Sequence, residues 1–147
     1  MQSKLISERD GLKTHALVYE KGDEFISGLQ GFAEQYALAA SHFTAIGAFS
    51  DALLGYFDRH SKDYKKIPVD ELVEVLSLTG NITIEDGKYK VHAHAVLGKS
   101  DASAIGGHIL EAHIWPTLEV VVEESSKHLL RRDDPETGLA LLDLRSE

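Results

Sequence analysis

Two stretches of alternating β-type sequence, Ile82-Thr83-Ile84-Glu85 and Lys88-Tyr89-Lys90-Val91, are separated only by Asp86-Gly87. A two-residue connection of this kind accepts the positive φ angles of a tight turn whose twist matches the strands it joins. The two stretches are therefore expected to pair as an antiparallel hairpin. Similar runs rich in Val, Ile, Leu, Thr and aromatic residues fall at 43–49, 52–58, 71–84, 89–98, 108–115 and 117–124, punctuated by Gly80-Asn81 and Gly106-Gly107. A chain patterned in this way is committed to a largely antiparallel sheet of six or more strands.

Ahead of that region, Ala16, Leu17, Val18 and Tyr19 form a short apolar run between Gly11 and Gly22 that suits a further strand over Leu12 to Glu20. The period then changes. Phe25, Ile26, Leu29, Phe32, Ala33, Tyr36 and Ala37 recur at spacings of three and four, one stripe of a helix that is expected to run to about Ala40, with Asp23 as N-cap. Gly28 and Gly31 on this helix suggest close approach of another backbone. A second, short helix is also compatible with the pattern. The fold class expected is α+β, a mainly antiparallel sheet with one long helix packed on it, over residues 1–147 as a single domain. No repeat period and no Pro-rich or Gly/Ser-rich linker divides the chain. The tail from Arg131 to Glu147 turns from polar to apolar, as expected of an edge strand or of a segment docking on a neighbouring subunit.

Chemistry is limited by what the chain lacks. With no cysteine there is no disulfide, zinc–thiolate site or thiol nucleophile, which leaves imidazole and carboxylate as metal ligands. Lys and Arg total 15 against 24 Asp and Glu, a net charge of -9 that repels polyanions and makes direct DNA binding an unfavourable expectation. The basic clusters Lys62, Lys65, Lys66 and Lys127, Arg131, Arg132 have acids beside them and read as solvated faces. No Gly-x-Ser-x-Gly, Walker-type or Gly-x-Gly-x-x-Gly loop occurs, so no catalytic motif is recognised. Ser100, Asp101 and Ser103 read as a turn. Neither a signal-type stretch over Met1 to Gly11 nor a run of about 18 apolar residues is present, and a cytoplasmic protein is the simplest expectation.

Against this background one constellation stands out. His92 and His94, one residue apart in an apparent strand, point to the same face about 7 Å apart along it. If the following turn centres near Ala102, Ala112 faces His92, Leu110 faces His94 and His108 faces Val96, which puts His108 on the face of the pair and diagonal to His94. The parity holds only for registers with this even offset. Gly106-Gly107 would leave space around the His108 ring and permit unusual backbone angles. Three imidazoles without cysteine suit zinc or another borderline divalent ion, with a fourth position for water or a carboxylate, for which Glu119, Glu123 and Glu124 are candidates. The same pattern also fits two solvent-facing histidines of an amphipathic strand and a half-buried third. His113 has the opposite parity and should face away, while His15, His42, His60 and His128 stand isolated.

These residues, in order, resemble the plant and prokaryote conserved (PPC) domain. The resemblance runs from about Leu17 to Leu144. It is carried by Gly22-Asp23-Glu24, Ile46-Gly47-Ala48-Phe49-Ser50-Asp51-Ala52, Leu76-Ser77-Leu78-Thr79-Gly80-Asn81-Ile82, His92-x-His94, Gly106-Gly107-His108 and Pro116-Thr117-Leu118-Glu119-Val120. It implies an α+β fold assembling as a homotrimer, and a histidine cluster able to hold a metal such as zinc. It also implies the DNA-binding description attached to plant members, whose Arg-Gly-Arg-Pro minor-groove core is absent here. The resulting expectation is a trimeric binding or regulatory domain holding a divalent metal through His92, His94 and His108, acting through protein partners or a small ligand. A DNA-binding protein and a metal-assisted hydrolase or lyase are the alternatives.

Overall fold

A computed structural model describes residues 1–145. Nine strands and one helix follow in the order β1 (Gln2–Arg9), β2 (Leu12–Glu20), α1 (Phe25–Tyr36), β3 (Ser41–Asp58), β4 (Asp63–Val69), β5 (Val73–Glu85), β6 (Lys88–Gly98), β7 (Ala104–Glu124), β8 (Leu130–Asp133) and β9 (Ala140–Asp143) among the described residues. The fold is α+β, with the sheet antiparallel except where β8 runs parallel to β5 through Ile84↔Leu130.

The Asp86-Gly87 turn forms as expected. Both residues have positive φ, 49° and 75°, and Glu85 pairs with Lys88. The two runs 43–49 and 52–58 are one 18-residue strand, and 108–115 with 117–124 belong to one 21-residue strand. Pro116 reads as a break because it lacks an N–H. Here Trp115 to Thr117 lie in an irregularity between the pairs Phe49↔Ile114 and Gly47↔Leu118, where β3 asks for no ladder bond. Strand length matters for the site, because β3 pairs with both β5 and β7 while β6 pairs with both β5 and β7. The pairings therefore close a circuit, β3–β5–β6–β7, and fix those four strands against one another. β1 and β4, neither of them anticipated, extend the sheet on β2 and β3.

Helix α1 starts one residue later than expected. Its N-cap is Glu24, whose carboxylate accepts from the amides of Ile26 and Ser27 and, across the interface, of Ala112 on β7. Asp23 instead accepts from Glu20 N–H and pairs with the N-terminal ammonium. The helix ends at Tyr36, short of Ala40, because Ala37 turns left-handed (φ 55°) and the amides of Ala39 and Ala40 go to the Glu124 carboxylate. Phe25, Leu29, Phe32 and Ala33 are buried against the sheet. Phe25 meets Phe43 and Phe49 at ring separations of 6.1 and 6.3 Å, and each such ring contributes about 1.5–3 kcal/mol by leaving water. Gly28 makes room for the Tyr19 ring rather than for a backbone, since a Cβ there would stand 2.7 Å from Tyr19 Cε1, while Gly31 has nothing within 4 Å. No second helix occurs among the described residues.

Candidate functional site

The three histidines come together from β6 and β7, and the connecting loop decides how. Lys99 N–H bonds to Ser103 C=O, Ala102 N–H bonds to Lys99 C=O, and Ala102 takes the left-handed φ of 65°. This closes a five-residue turn centred on Asp101 rather than Ala102. The register is therefore two residues shorter than expected. His94 pairs directly with His108 and Val96 with Gly106, so His108 is opposite His94 and no longer diagonal to it. A shift of two preserves the face, since side-chain direction repeats every second residue.

His92 Nε2 lies 3.1 Å from His94 Nε2, and the ring of His108 is centred 5.0 Å from that of His92 and 5.3 Å from that of His94. One ring nitrogen from each can be chosen so that all three lie within 4.8 Å of one another. Nδ1 of His108 is buried without a hydrogen-bond partner among the described residues. Burial first, and then the neighbouring Arg131, His94 and Lys90, push the His92 pKa down to about 4. Burial, then His92 and His94, and then Lys90 and Arg131 do the same to His108, also to about 4. Both rings are neutral at pH 7.

Arg131, expected on a solvated basic face, turns inward instead. Its Nε donates to Thr83 Oγ1 (2.8 Å), Nη1 to the Ala140 carbonyl (2.7 Å), and Nη2 to both Asn81 Oδ1 (2.9 Å) and His92 Nδ1 (3.2 Å). A guanidinium can only donate, so Nδ1 of His92 is the acceptor and the proton of the neutral ring sits on Nε2. Tyr64, from β4, stacks on His108 with ring centres 4.7 Å apart and 21° between planes. It fits there because Gly55 has no side chain: a Cβ at Gly55 would stand 2.7 Å from Tyr64 Cδ1. A cavity of about 250 Å³ opens beside the cluster, lined among others by Tyr64, His92, His108, Arg131 and Leu139.

Tyr64, Asn81 and Arg131 were not placed at the site by sequence reasoning, which read Arg131 as part of a solvated basic face. Asn81 sits across from His92 on β5 and follows from strand pairing once the Asp86-Gly87 hairpin is drawn. Nothing local marks the other two, which arrive through β3–β4 and β5–β8 pairing. Gly106 and Gly107 have ordinary φ, so their value lies in tight packing: a Cβ would stand 2.9 Å from Ala95 O and 3.0 Å from Gly55 O respectively.

Other candidates lie elsewhere. His113 stays out of the cluster and pairs with Asp51 at 2.7 Å, a contact that raises its pKa. Parity is not the reason, because a bulge on β7, where Leu54 pairs with Ile109 and Leu53 with Glu111, reverses the alternation between His108 and His113. Glu123 pairs with His42, Glu124 holds Ala39 and Ala40, and Glu119 lies on β7 between Val18 and Ile46. None of the three reaches the histidine cavity. Ser103 Oγ bonds to Asp101 within the turn. His15 is buried against Phe32 and Tyr36. No helix is long and apolar enough to cross a membrane among the described residues.

The sequence profile of the Plants and Prokaryotes Conserved (PCC) domain matches residues 6–126. A metal-containing protein from Archaeoglobus fulgidus is similar in structure, at 32% identity and a TM-score of 0.83 over 97% of this chain and 98% of that one. A plant- and prokaryote-conserved (PPC) protein from Pyrococcus horikoshii is also similar, at 27% identity and a TM-score of 0.85 over 99% and 97% of the two chains. A Bacteroides thetaiotaomicron protein described as a candidate DNA-binding protein is 27% identical with a TM-score of 0.86 over 95% and 96%. No curated protein matches.

Proposed function

The chain belongs to the Plants and Prokaryotes Conserved (PCC) domain family, and from that premise we propose that it is a trimeric binding or regulatory domain that holds a divalent metal, zinc by preference, through His92, His94 and His108. The observation that carries this reading is the convergence of three imidazoles from two paired strands with donor atoms within 4.8 Å of one another. The donor set fits the group. Two ligand nitrogens on one tetrahedral zinc, at bonds of about 2.0–2.1 Å, are about 3.4 Å apart, close to the 3.1 Å between His92 and His94. The buried, unpartnered Nδ1 of His108 is the further sign that this ring lacks something in the isolated chain. The metal-containing relative from Archaeoglobus fulgidus points the same way.

Bound there, the ion would act as a Lewis acid toward an oxygen ligand. The protein's own part is to hold three rings on one rigid face, with His92 and His108 neutral at pH 7 and Tyr64 fixing the plane of His108. Ion-pair and capping contacts occupy Glu123 and Glu124, and Glu119 lies outside the cavity, so a binding role fits better than proton-shuttling hydrolysis. Assembly into a homotrimer is supported by exposed apolar side chains on three adjacent strands, Val18 on β2, Val121 on β7 and Ile46 on β3, the last 62% exposed, set around Glu119 on the same face.

The test is metal analysis of protein purified without an affinity tag, together with its mass in solution. Near one divalent ion per chain is expected for the wild type and less than a tenth of that for His94→Ala. A wild type without stoichiometric metal after incubation with zinc and desalting overturns the metal reading. A monomeric mass overturns the trimer.

A further inference from the structure

Arg131 is a half-buried cation whose hydrogen bonds all go to neutral acceptors; Glu85, its neighbour across the β5–β8 pairing, acts on it electrostatically but forms its ion pair with Lys90. The groups it reaches are a hydroxyl, a carbonyl, an amide and an imidazole, and no carboxylate lies within ion-pair distance of its guanidinium among the described residues. Withdrawing a charge from water is costly unless an opposite charge compensates it. Four of the five N–H groups of a guanidinium are used in these bonds, which leaves one on Nη1.

The rest of the cavity wall says what would fit. Lys90 is neutralised by Glu85 at 3.3 Å, and Asp133, two residues along β8, is exposed and makes no ion pair with Arg131. The wall holds two cations, Lys90 and Arg131, and two acids, Glu85 and Asp133, a balance that disfavours a dianion, while Arg131 is the cation that makes no direct ion pair among the described residues. Val91, Leu139, Ala140 and Leu141 add apolar surface, and the cavity of about 250 Å³ falls below the range of about 300–1,000 Å³ usual for larger ligands.

We propose that this cavity is a binding site for a small monocarboxylate with a short apolar body, its carboxylate received by Arg131 and its hydrocarbon part by Val91 and the 139–141 segment. The site borders the histidine cluster without depending on it. Arg131 meets the cluster only through Nδ1 of His92, while its hold on Thr83, Asn81 and Ala140 is independent of any ion.

The test uses the full chain stripped of metal with a chelator and titrated with butyrate, with neutral isosteric butyramide and with inorganic phosphate, followed by the Arg131 Nε–H and backbone amide signals in nuclear magnetic resonance. Saturable shifts with butyrate at Arg131 and Leu139 are expected, with butyramide at least tenfold weaker and phosphate weaker than butyrate. Arg131→Met should weaken butyrate at least tenfold. If that variant does not fold, Leu139→Trp, which fills the cavity and leaves the guanidinium in place, should abolish binding. Butyrate binding should persist in His94→Ala, so failure of the metal reading leaves this result unchanged. Equal affinity for butyramide, tighter binding of phosphate, or undiminished binding in both Arg131→Met and Leu139→Trp overturns the proposal.

Discussion

Replacing Arg131 by Met should tighten zinc binding even though it removes a side chain that touches the site. A histidine that binds a metal through one nitrogen carries its proton on the other, and that N–H normally donates to a carboxylate or carbonyl. In this structure the nitrogen of His92 turned away from the cluster, Nδ1, faces a donor, Nη2 of Arg131, at 3.2 Å. Using Nε2 of His92 for an ion moves the ring proton to Nδ1, which sets N–H against N–H and gives up the existing bond. A hydrogen bond to a charged group contributes about 1.5–3 kcal/mol, and 3.2 Å is at the long end for N–H donors, so the lower figure applies. At about 1.4 kcal/mol per decade this is a roughly tenfold gain in zinc affinity when the guanidinium is absent. Removing its positive charge from beside a dication acts in the same direction. The assay is competition with a chromophoric chelator at pH 7.5, carried out well below the melting temperature, because the variant also loses contacts to Thr83, Asn81 and Ala140 and will be less stable. Long-range nitrogen–proton spectra should show His92 protonated on Nε2 in the metal-free wild type. Unchanged or weaker zinc binding in the variant, or a metal-free His92 protonated on Nδ1, refutes the reasoning.

Two further outcomes follow from packing and burial. Gly55→Ala places a Cβ 2.7 Å from the Tyr64 ring that stacks on His108, so it should cost about 1–3 kcal/mol of stability in denaturant unfolding and reduce zinc affinity, whereas Tyr64→Leu, which vacates the space, should restore most of the stability of Gly55→Ala. His15 is 3% exposed, and burial, followed by the charge of Lys13, lowers its pKa below the ordinary 6.5, so between those two values the unfolded chain binds the extra proton. Its contribution to stability is complete above pH 6.5 and is lost as the pH falls toward the folded pKa; the melting temperature of His15→Leu should fall less steeply than wild type across that window, and parallel slopes would count against this account.

How much of this protein was legible in its sequence depended on how far each interaction reaches along the chain. Turn chemistry and period-two alternation are local, so the Asp86-Gly87 hairpin, the common face of His92 and His94 and the even offset of His108 could all be read directly, whereas the direction of His113 could not, because a bulge on β7 that the sequence does not mark reverses the alternation before it. The stripe of Phe25, Leu29, Phe32 and Ala33 is local too, although the helix ends depended on a distant residue: Glu124, 84 positions beyond Ala40, takes the amides that would otherwise have prolonged α1. The step from a diagonal to a direct pairing of His94 with His108 turned on whether a loop centres on Asp101 or Ala102, a choice that parity does not constrain.

What only the tertiary structure decided is the surroundings of the histidines. Tyr64 reaches His108 because β4 folds back on β3 where Gly55 leaves a gap, and Arg131 reaches His92 because β8 runs parallel beside the end of β5. Both placements come from pairing between segments far apart in the chain, whose register is fixed by how the whole sheet closes and not by any motif near the residue. The sequence by itself therefore determined which three imidazoles share a face. The fold determined that two of them are neutral at pH 7, which nitrogen of His92 is available, and that a half-buried guanidinium hydrogen-bonded only to neutral groups stands beside them, because burial and hydrogen bonding arise only once distant strands pack together.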